Sequence, residues 1–215
     1  FANGDVFTPC PECENGGPGD PRQTGDIEGH RKFLISEYAA AEQLFRNLGK
    51  NIRANDSSMN GDVARLIMDE DTTTSLGGVV TIDHYVSSPQ NLVKDIQDIA
   101  IKSGGKIILG EFGAPIPDIH GPMTADQQAK WLNEAFSLLV STPELIGINY
   151  WVNVGGSTQL WTEKYEPKKA VDVVTSFFFP KTAHGIIYDV FGSPIPNVNI
   201  SSSLKTVYSN SAGAF

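Results

Sequence analysis

The sequence has little positive charge, few cysteines and no long apolar run. Lysine and arginine number 16 against 25 aspartates and glutamates, a formal net charge of −9 over 215 residues. An acidic chain repels a phosphate backbone, so nucleic acid is not expected as a partner. No stretch approaches the roughly 18 apolar residues of a membrane-spanning helix, so no membrane span is expected.

The two cysteines, Cys10 and Cys13, belong to the tetrapeptide Cys-Pro-Glu-Cys. Such a pair can have a structural role, in packing or as a local disulfide. It can also carry chemistry, as a redox pair or as half of a zinc site. The glycine- and proline-rich residues after Cys13 do not suit a thioredoxin-like motif, and the four histidines show no zinc-ligand spacing. Packing or a disulfide is therefore favoured, and no metal or other cofactor is expected.

Nucleotide-binding loops are also missing, because the sequence has neither Gly-x-Gly-x-x-Gly nor a Walker loop. What it does contain is alternating helical and strand patterns from residue 30 to residue 180. Helix-capping patterns at Ser88-Pro89 and at Thr124 with Gln127 support two of the helices. Strands are predicted over 51–54, 78–85, 106–111 and 145–151.

This alternation predicts parallel strands joined by helical crossovers. Both an open doubly wound sheet and a (β/α)8 barrel satisfy the pattern, and polar residues at the carboxyl ends of the strands favour the barrel. A complete barrel takes roughly 250 residues. We therefore predict an α/β fold that is a partial (β/α)8 TIM barrel, about strands 4–8, with the first three strands missing.

A different pattern begins after Pro180. From His184 onward two short β-rich runs flank a Gly-Ser-Pro turn, and serines at 201–203 mark a further turn. We predict that residues 1–180 are the C-terminal part of the barrel and that residues 181–215 begin a truncated all-β, sandwich-type segment. Both ends of the chain lie in apolar sequence and are expected to be cuts.

Glu111 ends the most apolar predicted strand, in the run Ile-Ile-Leu-Gly-Glu-Phe-Gly over 107–113. A carboxylate there is costly to bury unless it is paired or functional. Two interpretations of Glu111 therefore remain: a salt-bridged residue at a strand end, or a catalytic group. Glycoside hydrolysis uses two carboxyl groups on opposite sides of one bond. A barrel supplies such groups from the ends of separate strands.

These runs resemble the large clan of glycoside hydrolases that includes the family 5 cellulases. Leu-Gly-Glu-Phe-Gly over 109–113 is similar to the clan's seventh-strand motif, Ile-Asp-His-Tyr-Val over 82–86 to its sixth strand, and Ile-Asn-Tyr-Trp over 148–151 to its eighth. The resemblance covers roughly residues 1–180. It implies a TIM barrel in which Glu111 is the catalytic nucleophile.

The resemblance also assigns the residues that line the sugar subsites. It implies that His84 and Tyr85 lie beside the nucleophile and that Trp151 forms a sugar platform, with packing in the core as the alternative for each. Because His84 and Tyr85 are adjacent on a strand, only one of them is expected to face the sugar. Four loop residues are predicted on the same face as further substrate contacts: Asn55, Asp56, His120 and Trp161.

The clan's acid/base glutamate ends its fourth strand, usually after an asparagine. The matching segment here is 5–17, where Pro11 replaces the asparagine before Glu12. The resemblance thus implies Glu12 as the acid/base, with Glu14 as its rival and a charged surface loop as the alternative.

The tail resembles a second family. Gly185-x-x-x-Asp189-x-x-Gly192 and the residues that follow are similar to about the first 30 residues of a carboxypeptidase regulatory-like β-sandwich domain. Such modules accompany secreted bacterial proteins, which implies a secreted or cell-surface location.

Together these features predict a retaining glycosidase that cleaves the O-glycosidic bonds of a polysaccharide or oligosaccharide. The first alternative is a non-catalytic carbohydrate-binding or cell-surface protein, which Pro11 favours, and the second is an unrelated barrel or open-sheet enzyme. An isolated piece is expected to be inactive because a half barrel exposes strand edges. The sugar, the linkage, endo or exo attack, and the oligomeric state stay open.

Overall fold

The computed structural model describes residues 1–179, 185–202 and 205–215. The chain divides into two compact units, Phe1–Val174 and Thr175–Phe215. The boundary predicted between residues 180 and 181, like His184, lies outside the described residues. The sheet of the first unit is parallel, and the sheet of the second unit is antiparallel.

Four parallel strands form the sheet of the first unit, in the order β1-β2-β3-β4. Their bounds are Ser58–Asn60 for β1, Val79–Asp83 for β2, Lys106–Phe112 for β3 and Leu145–Tyr150 for β4. Helices lie between successive strands, so the predicted parallel sheet with helical crossovers is confirmed and is consistent with part of a (β/α)8 barrel. The register sets Asn60 beside Asp83 and Asp83 beside Glu111, which aligns the carboxyl ends of three strands.

Two of the helices carry the caps that the sequence predicts. Ser88 accepts a hydrogen bond from the Asn91 amide ahead of α5, and Thr124 with Gln127 forms a capping box at α7. The α-helices are Pro21–Thr24 (α1), Ile27–Asn47 (α2), Gly61–Ile67 (α3), Glu70–Ser75 (α4), Pro89–Ser103 (α5), Pro117–His120 (α6), Ala125–Leu139 (α7) and Lys169–Phe178 (α8). A short 3-10 turn covers Cys13–Asn15.

One face of the parallel sheet is apolar and packs against helices. Phe112 of β3 meets Phe136 of α7 edge to face, with 5.6 Å between the ring centroids. Burial of such side chains is the main favourable term in folding. The other fully buried strand residues on this face are Val80, Ile82, Ile107 and Leu109.

The opposite face of the sheet is polar. Side chains alternate along a strand, so the residues between the apolar ones point to this second face. Ser58, Thr81 and Asp83 surround the space that a Cβ at Gly110 would take on this face. This polar face extends to the edge of the sheet at which the parallel strands end, which we call the carboxyl edge. The polar face and this edge position the candidate site.

The strand predicted over 51–54 is only partly right. Arg53 forms an isolated parallel bridge with Val6, while the regular strand comes later, at β1. Ile52 and Ala54 are instead buried in a small cluster with Ala41 and Phe45 of α2. Packing against α2 thus holds the earlier segment in place, and the end of the strand moves six residues downstream to Asn60.

The strand predicted over 145–151 is present as β4, but it is not a buried strand. Its residues are partly buried or exposed, and Ile146 is 53% exposed. The reason is that, among the described residues, β4 pairs with β3 alone and forms the edge of the sheet.

The second unit contains a small antiparallel sheet of β5 (Asn199–Ser201) and β6 (Thr206–Tyr208). Isolated antiparallel bridges join Ile186 to Ala214 and Tyr188 to Pro194. The β character predicted for this segment is present only on this small scale. None of the helices in the described residues is both long enough and apolar enough to cross a membrane.

Candidate active site

Backbone pairing fixes Glu111 near the carboxyl end of β3. The Glu111 carbonyl accepts a hydrogen bond from the His84 amide at 2.8 Å, and the Phe112 carbonyl accepts one from the Trp151 amide at 3.0 Å. The chain is therefore held from both sides at this position. Enzymes with parallel sheets place their chemistry at this edge.

Tyr85 holds the carboxylate of Glu111. Its hydroxyl donates a hydrogen bond to Glu111, with 2.9 Å between Oη and Oε2. Burial raises the pKa of Glu111, the Tyr85 bond opposes that rise, and the charge of Glu12 adds to it. Burial, the bond to Glu111 and the Glu111 charge raise the pKa of Tyr85 far above its usual range, so the phenol keeps its proton and remains a donor.

His84 faces the helices and not the carboxyl edge, so its placement in the sugar subsite is wrong. Its Nε2 lies 2.8 Å from Asp95 Oδ2 on α5, and Arg65 of α3 pairs with the same carboxylate at 2.6 Å. The ring occupies the space that a side chain at Gly61 would take. The strand ends at Asp83, and beyond it the His84 side chain is directed towards Asp95 while the Tyr85 side chain is directed towards Glu111.

Glu12 lies in a loop closed by a disulfide between Cys10 and Cys13, whose Cα atoms are 5.6 Å apart. The sequence left this pair open, and the structure joins it. Glu12 has a left-handed backbone with φ of 45°, and its amide donates to the Ser58 carbonyl at 2.8 Å. The side chain is exposed, and its charge acts on Glu111.

Glu14, the rival of Glu12, has a structural partner. It is 5% exposed, and its Oε1 accepts a hydrogen bond from the Asn60 amide at 2.6 Å. Asn60 in turn caps the first turn of α3. Glu14 thus ties the loop to the end of β1, which leaves Glu12 as the glutamate of this loop with an exposed carboxylate.

Asp83 is a site residue that the sequence reasoning missed. It ends β2, lies beside Glu111 in the register and is 5% exposed. Burial raises its pKa to about 7, against a hydrogen bond from Ser58, and the charges of Glu111 and Glu12 raise it further. Its position at the end of the β-branched run, directly before His84 and Tyr85, was the signal in the sequence.

Trp151 follows β4 at the same edge, and its side chain is 48% exposed. Asn149, also missed in the sequence, donates a hydrogen bond to the Gly110 carbonyl at 3.0 Å. Tyr150 and Gln128 both donate to the Thr158 carbonyl, which ties down the loop after β4. An exposed indole beside a carboxylate edge is a surface on which a sugar ring can stack.

The other predicted contacts are scattered. Asn55 donates to the Gly77 carbonyl, at the amino end of β2 and thus at the other end of the sheet from Glu111, so its predicted placement is wrong. The reason is the misplaced strand end, since Asn55 precedes β1. His120 accepts from the Ile116 amide and packs its ring on Trp131 of α7.

Two further predicted residues have partners outside the Glu111 site. Asp56 accepts a hydrogen bond from the Thr8 hydroxyl at 3.1 Å. Trp161 is half-buried and bridges to Pro167. Neither contact involves Glu111 or Glu12.

No profile of a known protein family matches the sequence, and no curated protein matches it either. Solved structures are similar in fold. A subgroup II endo-β-1,3-glucanase of glycoside hydrolase family 128 from Sorangium cellulosum has a TM-score of 0.54 at 12% identity, covering 69% of this chain and 62% of the enzyme. A subgroup I endo-β-1,3-glucanase mutant of that family from Amycolatopsis mediterranei, in complex with laminaripentaose, has a TM-score of 0.50 at 12% identity, with 66% and 65% coverage.

A β-glucuronidase from an uncultured Clostridium species has a TM-score of 0.53 at 15% identity, covering 81% of this chain and 32% of the enzyme. At these identities the likeness concerns the fold. The chain spans less than two thirds of the length of each of these three structures.

Proposed function

We propose that this chain carries the catalytic carboxyls of a retaining glycoside hydrolase acting on a β-linked polysaccharide or oligosaccharide. The observation that supports this most is the hydrogen bond from Tyr85 to Glu111 at the carboxyl edge. The charge of Glu12 acts on the same carboxyl group. A retaining enzyme needs a carboxylate nucleophile and a second carboxyl as acid/base. Glu111 and Glu12 fill these two roles.

The reaction proceeds by double displacement. Glu12 donates a proton to the glycosidic oxygen while a Glu111 oxygen bonds to the anomeric carbon, and the protonated leaving group departs. Glu12, now a base, then takes a proton from water, whose oxygen displaces Glu111 from the anomeric carbon. Tyr85 donates to one oxygen of Glu111 and so orients the other. Trp151 offers its exposed ring as a platform for a neighbouring sugar.

Covalent trapping tests the proposal. Laminari-oligosaccharides are the first probe because one of the structurally similar glucanases is in complex with laminaripentaose. A 2-deoxy-2-fluoro-β-glucosyl fluoride carrying a β-1,3-linked glucose slows the second displacement, so the glycosyl-enzyme accumulates. The experiment uses the full-length protein that the gene encodes. This protein is expected to gain the mass of one disaccharide on the peptide that contains Glu111.

Two variants sharpen this experiment. Glu111→Gln is expected to carry no label, whereas Glu14→Gln, which alters a buried glutamate of the acid/base loop, is expected to be labelled normally. A label on another carboxyl would remove Glu111 from the nucleophile role. Formation of the inverted anomer as first product would contradict retention.

One observation favours a non-catalytic carbohydrate-binding protein as second candidate. Pro11 precedes Glu12, so no side-chain amide is supplied at this point of the loop, while the exposed ring of Trp151 suits sugar binding without turnover. Under this candidate the protein binds laminari-oligosaccharides with no label and no hydrolysis. Trp151→Ala then weakens binding, and Glu111→Gln leaves binding unchanged.

A further inference from the structure

Asp83 lies on the polar face of the sheet, at the end of β2. The register places it directly beside Glu111, and it is 5% exposed. Ser58 hydrogen-bonds its side chain. Its Oδ1 is buried and has no hydrogen-bond partner among the described residues.

Gly110 makes the space that Asp83 occupies. A Cβ at position 110 would lie 2.5 Å from Asp83 Oδ1, 2.9 Å from Thr81 Cγ2 and 3.2 Å from Ser58 Cβ. The carboxyl therefore lies against the backbone of the residue that precedes Glu111. A side chain at this point would push it away, so the close approach depends on glycine.

The charges that act on Asp83 come from neighbouring carboxylates. Glu111 on β3 and Glu12 and Glu14 in the disulfide loop each raise its pKa, and Tyr85 is a neutral phenol. Among the described residues, no ion pair within 4.0 Å includes Asp83. A buried carboxylate without a cation is costly, and it avoids this cost by keeping its proton.

We propose that Asp83 is a positioning residue of this site, a buried carboxyl that holds a proton so that its neighbour Glu111 is the ionised member of the pair. The inference rests on the proposed function. When two carboxyls lie side by side, one of them takes the proton, and burial selects Asp83 for it. Neutral Asp83 does not repel Glu111, whose oxygen stays available for attack.

A proton held in this way makes stability depend on pH. Asp83 binds its proton more tightly in the folded chain than in the unfolded chain, where an aspartate has a pKa of about 3.9. Its contribution to stability is therefore complete below that value and is lost as the pH rises through the folded pKa of about 7.

The test compares Asp83→Asn, which has nearly the same shape and no charge, with Glu14→Gln, which removes the other buried carboxyl of this region. At about pH 5.5, infrared difference spectra are expected to show that Asp83→Asn loses a protonated-carboxyl band that Glu14→Gln keeps. From about pH 5 to pH 8, the unfolding constant of the wild type is expected to rise at least about tenfold relative to that of Asp83→Asn.

The pH profile of kcat/KM for a dinitrophenyl glycoside, whose leaving group needs no proton from Glu12, tests the link to Glu111. Its acid limb is expected to be the same in Asp83→Asn as in the wild type, because Asp83 is already neutral where Glu111 titrates. Its alkaline limb is expected to move to higher pH, because the wild type loses activity as a second carboxylate forms beside Glu111. A purely structural Asp83 would leave both limbs in place.

Three outcomes overturn the proposal: an unchanged infrared spectrum in Asp83→Asn, an acid limb displaced to lower pH, or two unchanged limbs. A displaced acid limb would mean that Asp83 is charged while Glu111 titrates. If the wild type does not hydrolyse any glycoside, the proposed function fails. The infrared and unfolding measurements then still decide whether Asp83 holds its proton.

Discussion

Glu111 and Glu12 are held by different means. Glu111 belongs to a strand with a neighbour on each side, and distant parts of the chain supply its contacts, among them Tyr85. Glu12 belongs to a loop, which is held by the disulfide between Cys10 and Cys13, by the backbone bond from Glu12 to Ser58 and by the bond from Asn60 to Glu14. The two carboxyls of one proposed reaction therefore depend on two kinds of support.

Because the supports differ, different substitutions should affect the nucleophile Glu111 and the acid/base Glu12. Pairing of strands over long sequence distances sets the position of Glu111, so only changes that disturb the sheet or Tyr85 should move it. The four-residue ring from Cys10 to Cys13 sets the position of Glu12, so local changes should affect the acid/base and spare the nucleophile. Since one group donates protons and the other forms a bond, substrates that need no proton distinguish them.

The largest effect is expected from Glu12→Gln. General acid catalysis contributes about 10²–10⁴-fold, so kcat/KM for an unactivated oligosaccharide should fall by that factor. The dinitrophenolate group of a dinitrophenyl glycoside leaves without protonation. The rate at which this substrate glycosylates the enzyme should therefore change little. Rate measurements on both substrates check the prediction, with Glu14→Gln as the matched control.

The same pair of variants can break the assignment. If Glu14→Gln loses activity on unactivated substrates and Glu12→Gln keeps it, the acid/base is Glu14. Equal losses on both substrates in Glu12→Gln would place Glu12 outside proton transfer.

Removing the disulfide tests the loop side of the comparison directly. In Cys10→Ser/Cys13→Ser the ring opens and Glu12 is less well placed, and a displacement of about 1 Å costs up to roughly 10²-fold in rate. The expected loss on unactivated glycosides is about tenfold to 100-fold, with the dinitrophenyl glycoside nearly unaffected. Steady-state kinetics before and after treatment of the wild type with a reductant provide a second measurement.

Loss of both activities together in that variant would mean that the disulfide stabilises the unit as a whole. Full activity on both substrates would show that the backbone bond from Glu12 to Ser58 is sufficient to hold the loop.

Tyr85→Phe tests the strand side. The Tyr85 hydrogen bond opposes the rise that burial causes in the pKa of Glu111, so its removal lets that pKa rise. The nucleophile must be ionised, and the acid limb of kcat/KM is therefore expected to move to higher pH. The pH profile checks this, with Tyr150→Phe, which removes a hydroxyl bonded to Thr158, as the control. A shift to lower pH would contradict the geometry.

The predictable part of this molecule is local. Capping residues such as Ser88 and Thr124, and the apolar run before Glu111, define helices and a buried strand by short-range rules, and the structure has them. The adjacency of His84 and Tyr85 also predicted that only one of them faces the site, and Tyr85 is the one that contacts Glu111. Which one it was depends on the register of the sheet, which no local pattern contains.

The parts that the sequence did not predict depend on long-range packing. Ile52 packs in a hydrophobic cluster with residues of α2, and the regular strand ends later, at Asn60. Asn55 therefore lies at the amino end of the sheet, away from Glu111. Asp83 was overlooked because its importance arises from its neighbour Glu111 on another strand and from the space left by Gly110.

The smallest expected effect comes from comparing asparagines at the two ends of the sheet. Asn149 bonds to the Gly110 carbonyl beside the nucleophile, whereas Asn55 bonds to Gly77 at the amino end. Asn149→Ala is expected to lower kcat/KM several-fold, since one neutral hydrogen bond contributes about 0.5–1.5 kcal/mol. Asn55→Ala is expected to leave kcat/KM within about twofold of the wild type. A larger loss in Asn55→Ala, at unchanged thermal stability, would mean that substrate reaches beyond the carboxyl edge and that the division between the two ends of the sheet does not hold.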